Sequence, residues 1–479
     1  MINKQNQIKK KIRNIIFQEL THKDILSVTF VRSFIGKKKL SEINDIDLII
    51  IVKDLKKKNF NEIKKKIQKI QIKKYFHDKN KILINHTFGP LKFNTKNKLV
   101  IHLMVYDIKG HIEHIIKSPF TVFDWERSSF YKYRKMSDFS SVGFLQLNDF
   151  INSRRSINRY ISDLNKKSIS YRVYKFSNNN YSLITKFHKI NDKDKIVFYF
   201  HIVKNLIMNF IKYRNKDNKV LNEKNIDREV IKNFDKIFYL KHIKNIKKLI
   251  NYKNKSILKN LNIFDIWIKI FLKDFQKKIK EELSVSKKIT FIRHLKTDLN
   301  DNTFLGQKRN PSILKKLKDQ KIKIKFEIIY TSPLKRCLDT LKKLMISNKI
   351  ILDKNLKEIN YGKVDGLTFE ELKKNYPRII DQWNKKKDPR FPSGENINDM
   401  LRRQKIFIKK LKQTNKNKIG IVTHNIFLRC LIGSTFNISK EKWFKIKIPH
   451  GKKLEFLMNN KKLYPNIDRK LLNQLIQNI

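Results

Sequence analysis

Apolar residues follow two different spacings along this chain, and lysine-rich polar stretches separate them. Short apolar runs predict buried β-strands, at about residues 27–31, 48–52, 99–106, 288–292 and 419–422. Between about residues 119 and 283, apolar side chains recur at three- and four-residue intervals, which predicts helices. Strand-containing segments on both sides of a helical middle predict an α/β protein with more than one domain.

The chain has 479 residues, too many for one ordinary hydrophobic core, so we expect two or three domains. We predict a mixed-sheet α/β domain at residues 1–110, a helical region at 111–285 and a second α/β domain at 286–479. The last boundary coincides with the short polar link Ser284-Val285-Ser286.

Composition indicates a strongly basic surface. Lysine and arginine number 109 against 43 acidic residues, which gives a formal net charge of +66. Such an excess can attract nucleic acid or membranes. The lysines are dispersed through every segment, however, and alanine is absent, a pattern that follows AT-rich codons. We therefore attribute the charge to a lysine-rich solvated surface and expect no nucleic-acid partner.

Cysteine usage and hydropathy bear on the compartment. Cys337 and Cys430 are the only cysteines, and both fall in predicted helices, which excludes a disulfide scaffold. No apolar run approaches the roughly 18 residues of a membrane span. Residues 1–11 are polar and lysine-rich, without the apolar core of a signal peptide. We expect a soluble cytoplasmic protein with no membrane partner.

Four separated segments of the C-terminal half supply the parts of a phosphoryl-transfer site. His294 follows one predicted strand directly after Arg293, and His424 follows another. Ligands of open α/β sheets bind at such strand ends. Arg336 falls in the first turn of a predicted helix, in the segment that begins with Ser332-Pro333-Leu334. Glu358 lies in the chain between that segment and His424.

These residue types match the chemistry of a phosphomonoester. A neutral imidazole can attack phosphorus when its other ring nitrogen is held by a hydrogen bond, so His294 is the candidate nucleophile. Guanidinium groups of Arg293 and Arg336 would stabilise the phosphate charge, and His424 would add a donor. Glu358 with a raised pKa would protonate the leaving oxygen. This site needs no cofactor.

Residues from about 287 to about 460 resemble the histidine phosphatase superfamily, with its phosphoglycerate-mutase-like fold. The similar segments are Arg293-His294-Leu295-Lys296-Thr297 with Asn300, Thr331 to Thr340, Leu356 to Gly362 with Asp365-Gly366, Pro392 to Asn396, and Val422-Thr423-His424 with Arg429. The resemblance implies a three-layer α/β/α domain, a phosphohistidine at His294 and substrate contacts from Thr297 and Asn300.

This chain departs from that pattern at a few positions. Leu295 replaces the usual glycine, Lys296 replaces a common acidic or amide residue, and Asn425 and Ile426 replace two glycines. None of these changes removes a catalytic group, and Lys296 would favour an additional negative group on the substrate. The arginine-pair insertion of mutases is not evident between residues 366 and 392, which favours hydrolysis over mutase chemistry.

A second constellation lies near the start of the chain. Asp45 and Asp47 project to one face of a strand, where paired carboxylates can hold Mg²⁺. This segment resembles the nucleotidyltransferases of the DNA polymerase β superfamily over residues 24–107. Ser33 matches the family serine that grips a nucleoside triphosphate, whereas Arg32 stands where the family has glycine. His102 occupies the expected place of a third carboxylate.

The sequence therefore predicts a bifunctional enzyme. Its C-terminal domain would hydrolyse a small phosphorylated metabolite, and its N-terminal domain would transfer a nucleotidyl group with Mg²⁺. The helical region would bind the acceptor, with a pocket beginning at residues 120–133. Two alternatives remain open: an N-terminal domain that senses nucleotides without catalysis, or a protein that modifies RNA ends.

Overall fold

A computed structural model describes most of the chain. It describes residues 2–36, 39–90, 97–177, 180–215, 225–258, 260–300, 302–316, 325–346, 349–436, 438–459 and 462–476. The chain divides into two compact units, Met1–Ile279 and Lys280–Ile479. The predicted α/β multidomain architecture is confirmed at this level. The predicted domains 1–110 and 111–285 fall almost entirely within the first unit, and their common boundary stays a prediction.

The first unit contains a five-stranded mixed sheet. Its strands are β1 (Ile25–Val31), β2 (Asp45–Val52), β3 (Lys81–Asn85), β4 (Lys98–Asp107) and β5 (Ser129–Tyr133), in the order β3-β4-β2-β1-β5. Strand β1 pairs antiparallel with β2 and β5, while β4 pairs parallel with β2 and β3. Strands β1, β2 and β4 confirm the strands that were predicted at about residues 27–31, 48–52 and 99–106.

Alternation along the strands gives the sheet two different faces. Ile46, Leu48 and Ile50 join the buried core on one face. Asp45 and Asp47 take the intervening positions of β2, so they belong to the opposite face. His102 is the strand partner of Asp47 and shares that face.

Helices and a hairpin complete the first unit. The helices are α1 (Ile2–Glu19), α2 (Lys57–Lys69), α3 (Ile108–Lys117), α4 (Pro119–Arg127), α5 (Asp149–Asn152), α6 (Ile157–Asn165), α7 (Asp192–Asn215), α8 (Ile226–Asn233), α9 (Lys236–Lys255) and α10 (Asn262–Val285). Strands β6 (Ser168–Phe176) and β7 (Tyr181–Lys189) form an antiparallel pair.

The prediction of a purely helical middle region is wrong in two places. Strand β5 joins the N-terminal sheet, and β6 with β7 forms a separate hairpin. The physical reason lies in residues 168–176, where isoleucine, valine and aromatic side chains favour an extended backbone. The remainder of this region is largely helical, as predicted.

The second unit contains a six-stranded sheet. Its strands are β8 (Lys287–Arg293), β9 (Ile328–Thr331), β10 (Ile350–Leu352), β11 (Lys418–Thr423), β12 (Lys453–Asn459) and β13 (Lys462–Pro465), in the order β10-β9-β11-β8-β12-β13. Strands β8 to β11 are parallel, and the last two are antiparallel. The predicted strands at 288–292 and 419–422 are confirmed as the neighbours β8 and β11.

Among the described residues, the helices that accompany this sheet are α11 (Lys335–Lys343), α12 (Phe369–Asn375), α13 (Pro377–Asn384), α14 (Ile397–Gln413), α15 (Asn425–Thr435) and α16 (Arg469–Ile476). Helix α11 contacts β11, and α15 contacts both β8 and α14. The predicted helical positions of Cys337 and Cys430 are confirmed, and both thiols are buried. Within the described part of the chain, every helix is too short or too polar to cross a bilayer.

Candidate functional site

His294 and His424 lie side by side at the carboxyl ends of β8 and β11. Arg293 and Thr423 are partners in the parallel pairing, and each is followed by a histidine. The two imidazole centroids are 5.1 Å apart. The buried strands therefore place both predicted histidines at one point of the sheet edge.

The His294 ring is held in one tautomer. Its Nδ1 lies 2.7 Å from the carbonyl oxygen of Leu295, so this nitrogen carries the proton and donates. The lone pair is then on Nε2. Burial, followed by the charge of Arg336, holds the pKa of His294 well below its usual value, so the ring is neutral.

Arg336 connects several parts of the site. It lies in the first turn of α11, as predicted, and is fully buried. Its Nε donates to His424 Nδ1 at 3.2 Å, and its Nη2 donates to the carbonyl of Gly306 at 2.7 Å. Because His424 Nδ1 accepts, its Nε2 carries the proton and donates to Ser332 Oγ at 2.8 Å. Burial also lowers the pKa of His424 well below its usual value.

Glu358 lies against the start of α15. Its Oε1 accepts from the backbone nitrogens of Ile359 at 2.9 Å and Ile426 at 3.1 Å. Burial raises the pKa of Glu358, although these hydrogen bonds and Arg336 oppose the shift. A buried carboxyl with a raised pKa, close enough to act electrostatically on Arg293 and Arg336, can donate a proton.

Arg293 has one partner that the sequence interpretation missed. Its Nη2 donates to His450 Nε2 at 3.1 Å, and His450 Nδ1 donates to the His294 carbonyl at 3.2 Å. The His450 ring centroid lies 5.2 Å from that of His294. Burial lowers the pKa of His450 to about 4, and that of Arg293 to about 10. His450 is therefore a neutral bridge between Arg293 and the nucleophile segment.

Thr297 and Asn300, which were predicted to contact substrate, form hydrogen bonds with each other. The backbone nitrogen and hydroxyl of Thr297 donate to Asn300 Oδ1 at 2.9 and 3.0 Å. Such a local turn fixes the backbone that follows His294. The substrate contacts of both residues stay a prediction.

In the first unit, Asp47 lies beside His102 and Arg32. His102 Nδ1 is 3.0 Å from Asp47 Oδ1, while His102 Nε2 is 2.6 Å from the carbonyl of Thr87. Both ring nitrogens of His102 therefore face oxygen atoms. Arg32 Nη1 is 3.8 Å from Asp47 Oδ2. Asp47 is thus contacted by His102 at one carboxylate oxygen and by Arg32 at the other.

Arg32 and Ser33 lie at one end of the sheet, whereas Asp107, the carboxylate that ends β4, lies at the other. Arg32 has a φ of +63°, the left-handed conformation that favours the glycine of the resembled family at this position. Ser33 lies in the same 3₁₀ turn, but its side chain is outside what the structure describes. Asp107 caps α3 by accepting from Gly110 at 2.6 Å, and it pairs with Val52 at the far end of β2.

The fit of Mg²⁺ depends on ligands from a bound molecule. Among the described residues, no group of three or more histidine, cysteine, aspartate or glutamate side chains could hold a metal ion. Mg²⁺ is commonly held by one or two carboxylates together with substrate phosphates. Asp45 and Asp47 could supply the protein carboxylates of such a site, and the phosphates of a bound molecule would supply the remaining ligands.

Comparisons with known proteins locate the similarity in the second unit. Residues 289–462 match the model of the histidine phosphatase superfamily, branch 1. A fructose-2,6-bisphosphatase of Saccharomyces cerevisiae is 32% identical over 130 residues, which cover 26% of this chain and 28% of that protein. Phosphoserine phosphatase 1 of Hydrogenobacter thermophilus is 22% identical over 172 residues, covering 33% and 80% respectively.

Solved structures are similar over the same share of the chain. A phosphoserine phosphatase of Entamoeba histolytica in complex with 3-phosphoglyceric acid is 25% identical, with a TM-score of 0.34, over 37% of this chain and 94% of that chain. The chain spans between about a tenth and a third of the length of the first fructose-bisphosphatase and phosphofructokinase relatives it matches.

Proposed function

We propose that the protein hydrolyses a small phosphomonoester through a phosphohistidine at His294, from the premise that residues 289–462, which match the histidine phosphatase superfamily, form a domain of that family. The observation that carries the proposal is the tautomer of His294. A neutral ring with its proton on Nδ1 presents the Nε2 lone pair for attack.

In the first step, His294 Nε2 attacks phosphorus and the ester oxygen leaves. The ring becomes positively charged as the phosphorus–nitrogen bond forms, and the Leu295 carbonyl stabilises the Nδ1 proton at that moment. The guanidinium groups of Arg293 and Arg336 stabilise the phosphate oxygens, and His424 would add a donor if its Nε2 proton turned from Ser332 Oγ to the phosphate. His424 is not the nucleophile in this proposal, because its Nδ1 accepts a hydrogen bond from Arg336 and has no lone pair free for attack.

Glu358 supplies the proton that the leaving oxygen requires. The raised pKa keeps a larger protonated fraction than a free glutamate would have. In the second step, the resulting carboxylate accepts a proton from water, whose oxygen attacks the phosphohistidine. Cleavage of the phosphorus–nitrogen bond then releases phosphate and restores neutral His294 and protonated Glu358.

The substrate class follows from charge and from the relatives. The relatives are named as phosphatases of fructose 2,6-bisphosphate and of phosphoserine, which supports a small phosphorylated metabolite. Lys296 is exposed beside the nucleophile segment, and its charge acts on His450. We therefore favour a substrate with a second anionic group.

A screen of phosphorylated metabolites against the full-length chain tests this proposal, with release of inorganic phosphate as the readout. We expect turnover of at least one bisphosphate or phosphorylated acid, and its loss in His294→Ala. Asp45→Asn, in the other unit, should retain the activity. Equal turnover in His294→Ala would contradict the proposal.

A second candidate function belongs to the first unit: nucleotidyl transfer from a nucleoside triphosphate to a small acceptor. It is favoured by the glycine-like backbone of Arg32 and by Asp45 and Asp47 on one strand face. Asp45 and Asp47 would hold Mg²⁺, which would neutralise phosphate charge. Release of pyrophosphate that depends on Asp45 would support this function. Binding of the triphosphate without turnover would favour a sensing role instead.

A further inference from the structure

A cavity of about 390 Å³ in the first unit has an unbalanced charge. Its lining includes six cationic side chains and one acid, Asp163. The cations are Arg32, Lys117, Arg154, Arg155, Arg159 and Arg172. This arrangement differs from the dispersed surface lysines, because it concentrates guanidinium groups around one cavity.

Arg172 is the most buried of these cations. The residue is only 8% exposed, and its guanidinium donates no hydrogen bond within the described residues. Its guanidinium carbon lies 5.1 Å from the centroid of the Phe88 ring. Burial, followed by the charge of Arg154, lowers the pKa of Arg172 to about 9. A buried charge without a hydrogen-bonded counter-ion is unfavourable.

Two neighbouring arginines also lack acidic partners. Arg154 Nη1 is buried without a hydrogen-bond partner. Arg155 donates to His201 Nε2 at 2.8 Å, and burial keeps that histidine neutral by lowering its pKa. Neither arginine forms an ion pair with a carboxylate among the described residues. The three guanidinium groups therefore have unused capacity for an anion.

The single acid of the lining cannot neutralise this cluster. Asp163 Oδ2 accepts from the hydroxyl of Ser170 at 2.7 Å, and Oδ1 lies 3.5 Å from Arg159 Nε. Burial raises the pKa of Asp163. Asp163 Oδ1 accepts no hydrogen bond among the described residues, and the ion pair of Asp163 with Arg159 leaves Arg154, Arg155 and Arg172 without a carboxylate partner.

We propose that this cavity binds a small molecule with two or more phosphoryl groups, and that Arg154, Arg155 and Arg172 hold those groups. Guanidinium forks match phosphate oxygens geometrically, and two phosphoryl groups offer enough charge for three of them. Phe88 and Trp125 line the same space and can contact an apolar or ring portion of the ligand. Arg32 and His102, which contact Asp47, also line the cavity, so it adjoins the candidate nucleotidyl-transfer site. The proposal itself depends on the three arginines and not on Asp45, Asp47 or Mg²⁺.

Calorimetric titration with inorganic pyrophosphate, without divalent cations, tests this site in the full-length chain. All proteins would carry Arg293→Met so that the second unit does not contribute phosphate binding. We expect saturable binding that Arg172→Met and Arg154→Met each weaken by about tenfold or more. The matched control is Arg228→Met, which removes an exposed arginine outside the cavity and should leave the dissociation constant unchanged.

The melting temperature without ligand separates binding from structural damage. Because Arg172 is buried and unpaired, Arg172→Met should melt at the same temperature or higher, yet lose the pyrophosphate-induced increase. Asp45→Asn should still bind, although it would abolish nucleotidyl transfer. Unchanged binding in both arginine variants, absence of binding in the parent, or a large fall in melting temperature in both variants would overturn the proposal.

Discussion

The candidate site of the second unit and the cavity of the first unit both gather arginines, but they hold them differently. In the second unit, Arg336 donates to the carbonyls of Gly306 and Arg309, and Arg293 donates to the carbonyl of Ile448. In the first unit, the Arg172 guanidinium donates no hydrogen bond within the described residues. Backbone carbonyls therefore hold Arg293 and Arg336 in place, whereas Arg172 has hydrogen-bond donors that no described residue uses.

This difference teaches what each region is suited to do. Preorganised donors stabilise a transition state because they need not reorganise as charge develops. Unpaired buried cations instead make the empty state less favourable, so ligand binding relieves repulsion and stabilises the unit. The second unit has the features of a site for chemistry, and the first unit those of a site for binding a polyanion.

The largest effect is expected for Glu358, the proposed proton donor of the second unit, and it would sharpen this comparison most. Glu358→Gln should lower turnover of an alkyl phosphate by about 10²- to 10⁴-fold, because the leaving alkoxide loses its acid. With p-nitrophenyl phosphate, whose leaving group needs no proton, the rate of the first step should fall little, although Glu358→Gln would still slow hydrolysis of the phosphohistidine. Comparison of the single-turnover release of the alcohol and of p-nitrophenol checks this expectation, and equal losses would assign Glu358 a structural role.

The pH profile of the same enzyme follows from the pKa shifts. The pKa of Glu358 is raised, so its acid form persists to higher pH than in free glutamate, and activity on alkyl phosphates falls as pH rises through that value. The pKa of His294 is lowered, so the neutral nucleophile survives below the usual histidine range. Glu358→Gln should remove the loss of activity at high pH. It should leave the loss of activity at low pH, which reflects protonation of His294.

A somewhat smaller effect is expected for Arg336→Lys. Lysine keeps the charge but cannot donate at once to His424, Gly306 and the phosphate, so kcat should fall by about 10²- to 10³-fold. Arg378→Lys, at an exposed position on α13, is the matched control and should retain full activity. Retention of activity in Arg336→Lys would remove the argument for preorganised guanidinium geometry.

His450 should have a moderate effect as a positioning residue. His450→Phe removes the acceptor of Arg293 and the donor to the His294 carbonyl, so kcat should fall by about tenfold, with a smaller change in KM. His450→Gln retains an acceptor and a donor and should recover part of the loss. If the two variants behave alike, His450 acts only by filling space.

The smallest effect concerns the backbone of the first unit. A non-glycine residue in the left-handed region costs about 1–2 kcal/mol, so Arg32→Gly should increase the free energy of unfolding by about 1 kcal/mol. Arg32→Ala removes the same charge but keeps the strain, and the difference between the two melting temperatures isolates the backbone. Equal melting temperatures would show that Arg32 is not strained.

The catalytic geometry of the second unit was largely predictable because it depends on local patterns. The apolar runs before His294 and His424 predicted strands, and parallel neighbours bring their carboxyl ends together. Arg336 was placed correctly in the first turn of a helix. His450 was missed because it lies in a loop 156 residues from His294, with only a Pro-His-Gly turn as a signal.

The first unit was less predictable because its site is assembled from distant segments. Arg154 and Arg155 are adjacent in the sequence, but Arg172 comes from a hairpin strand that the helical interpretation of this region did not include. Asp45 and Asp47 fell on one strand face as alternation predicted, whereas the pairing of Asp47 with His102 depends on a parallel strand 55 residues away. Long-range pairing, not local propensity, determined these contacts.

Trapping of the covalent intermediate tests the central claim most directly. The wild-type protein would be mixed rapidly with phosphate-labelled substrate, denatured in alkali, and digested for mass spectrometry. We predict an acid-labile phosphate on the peptide that contains His294, and none in His294→Ala. Label on His424 or His450 instead, or turnover without any labelled histidine, would contradict the account.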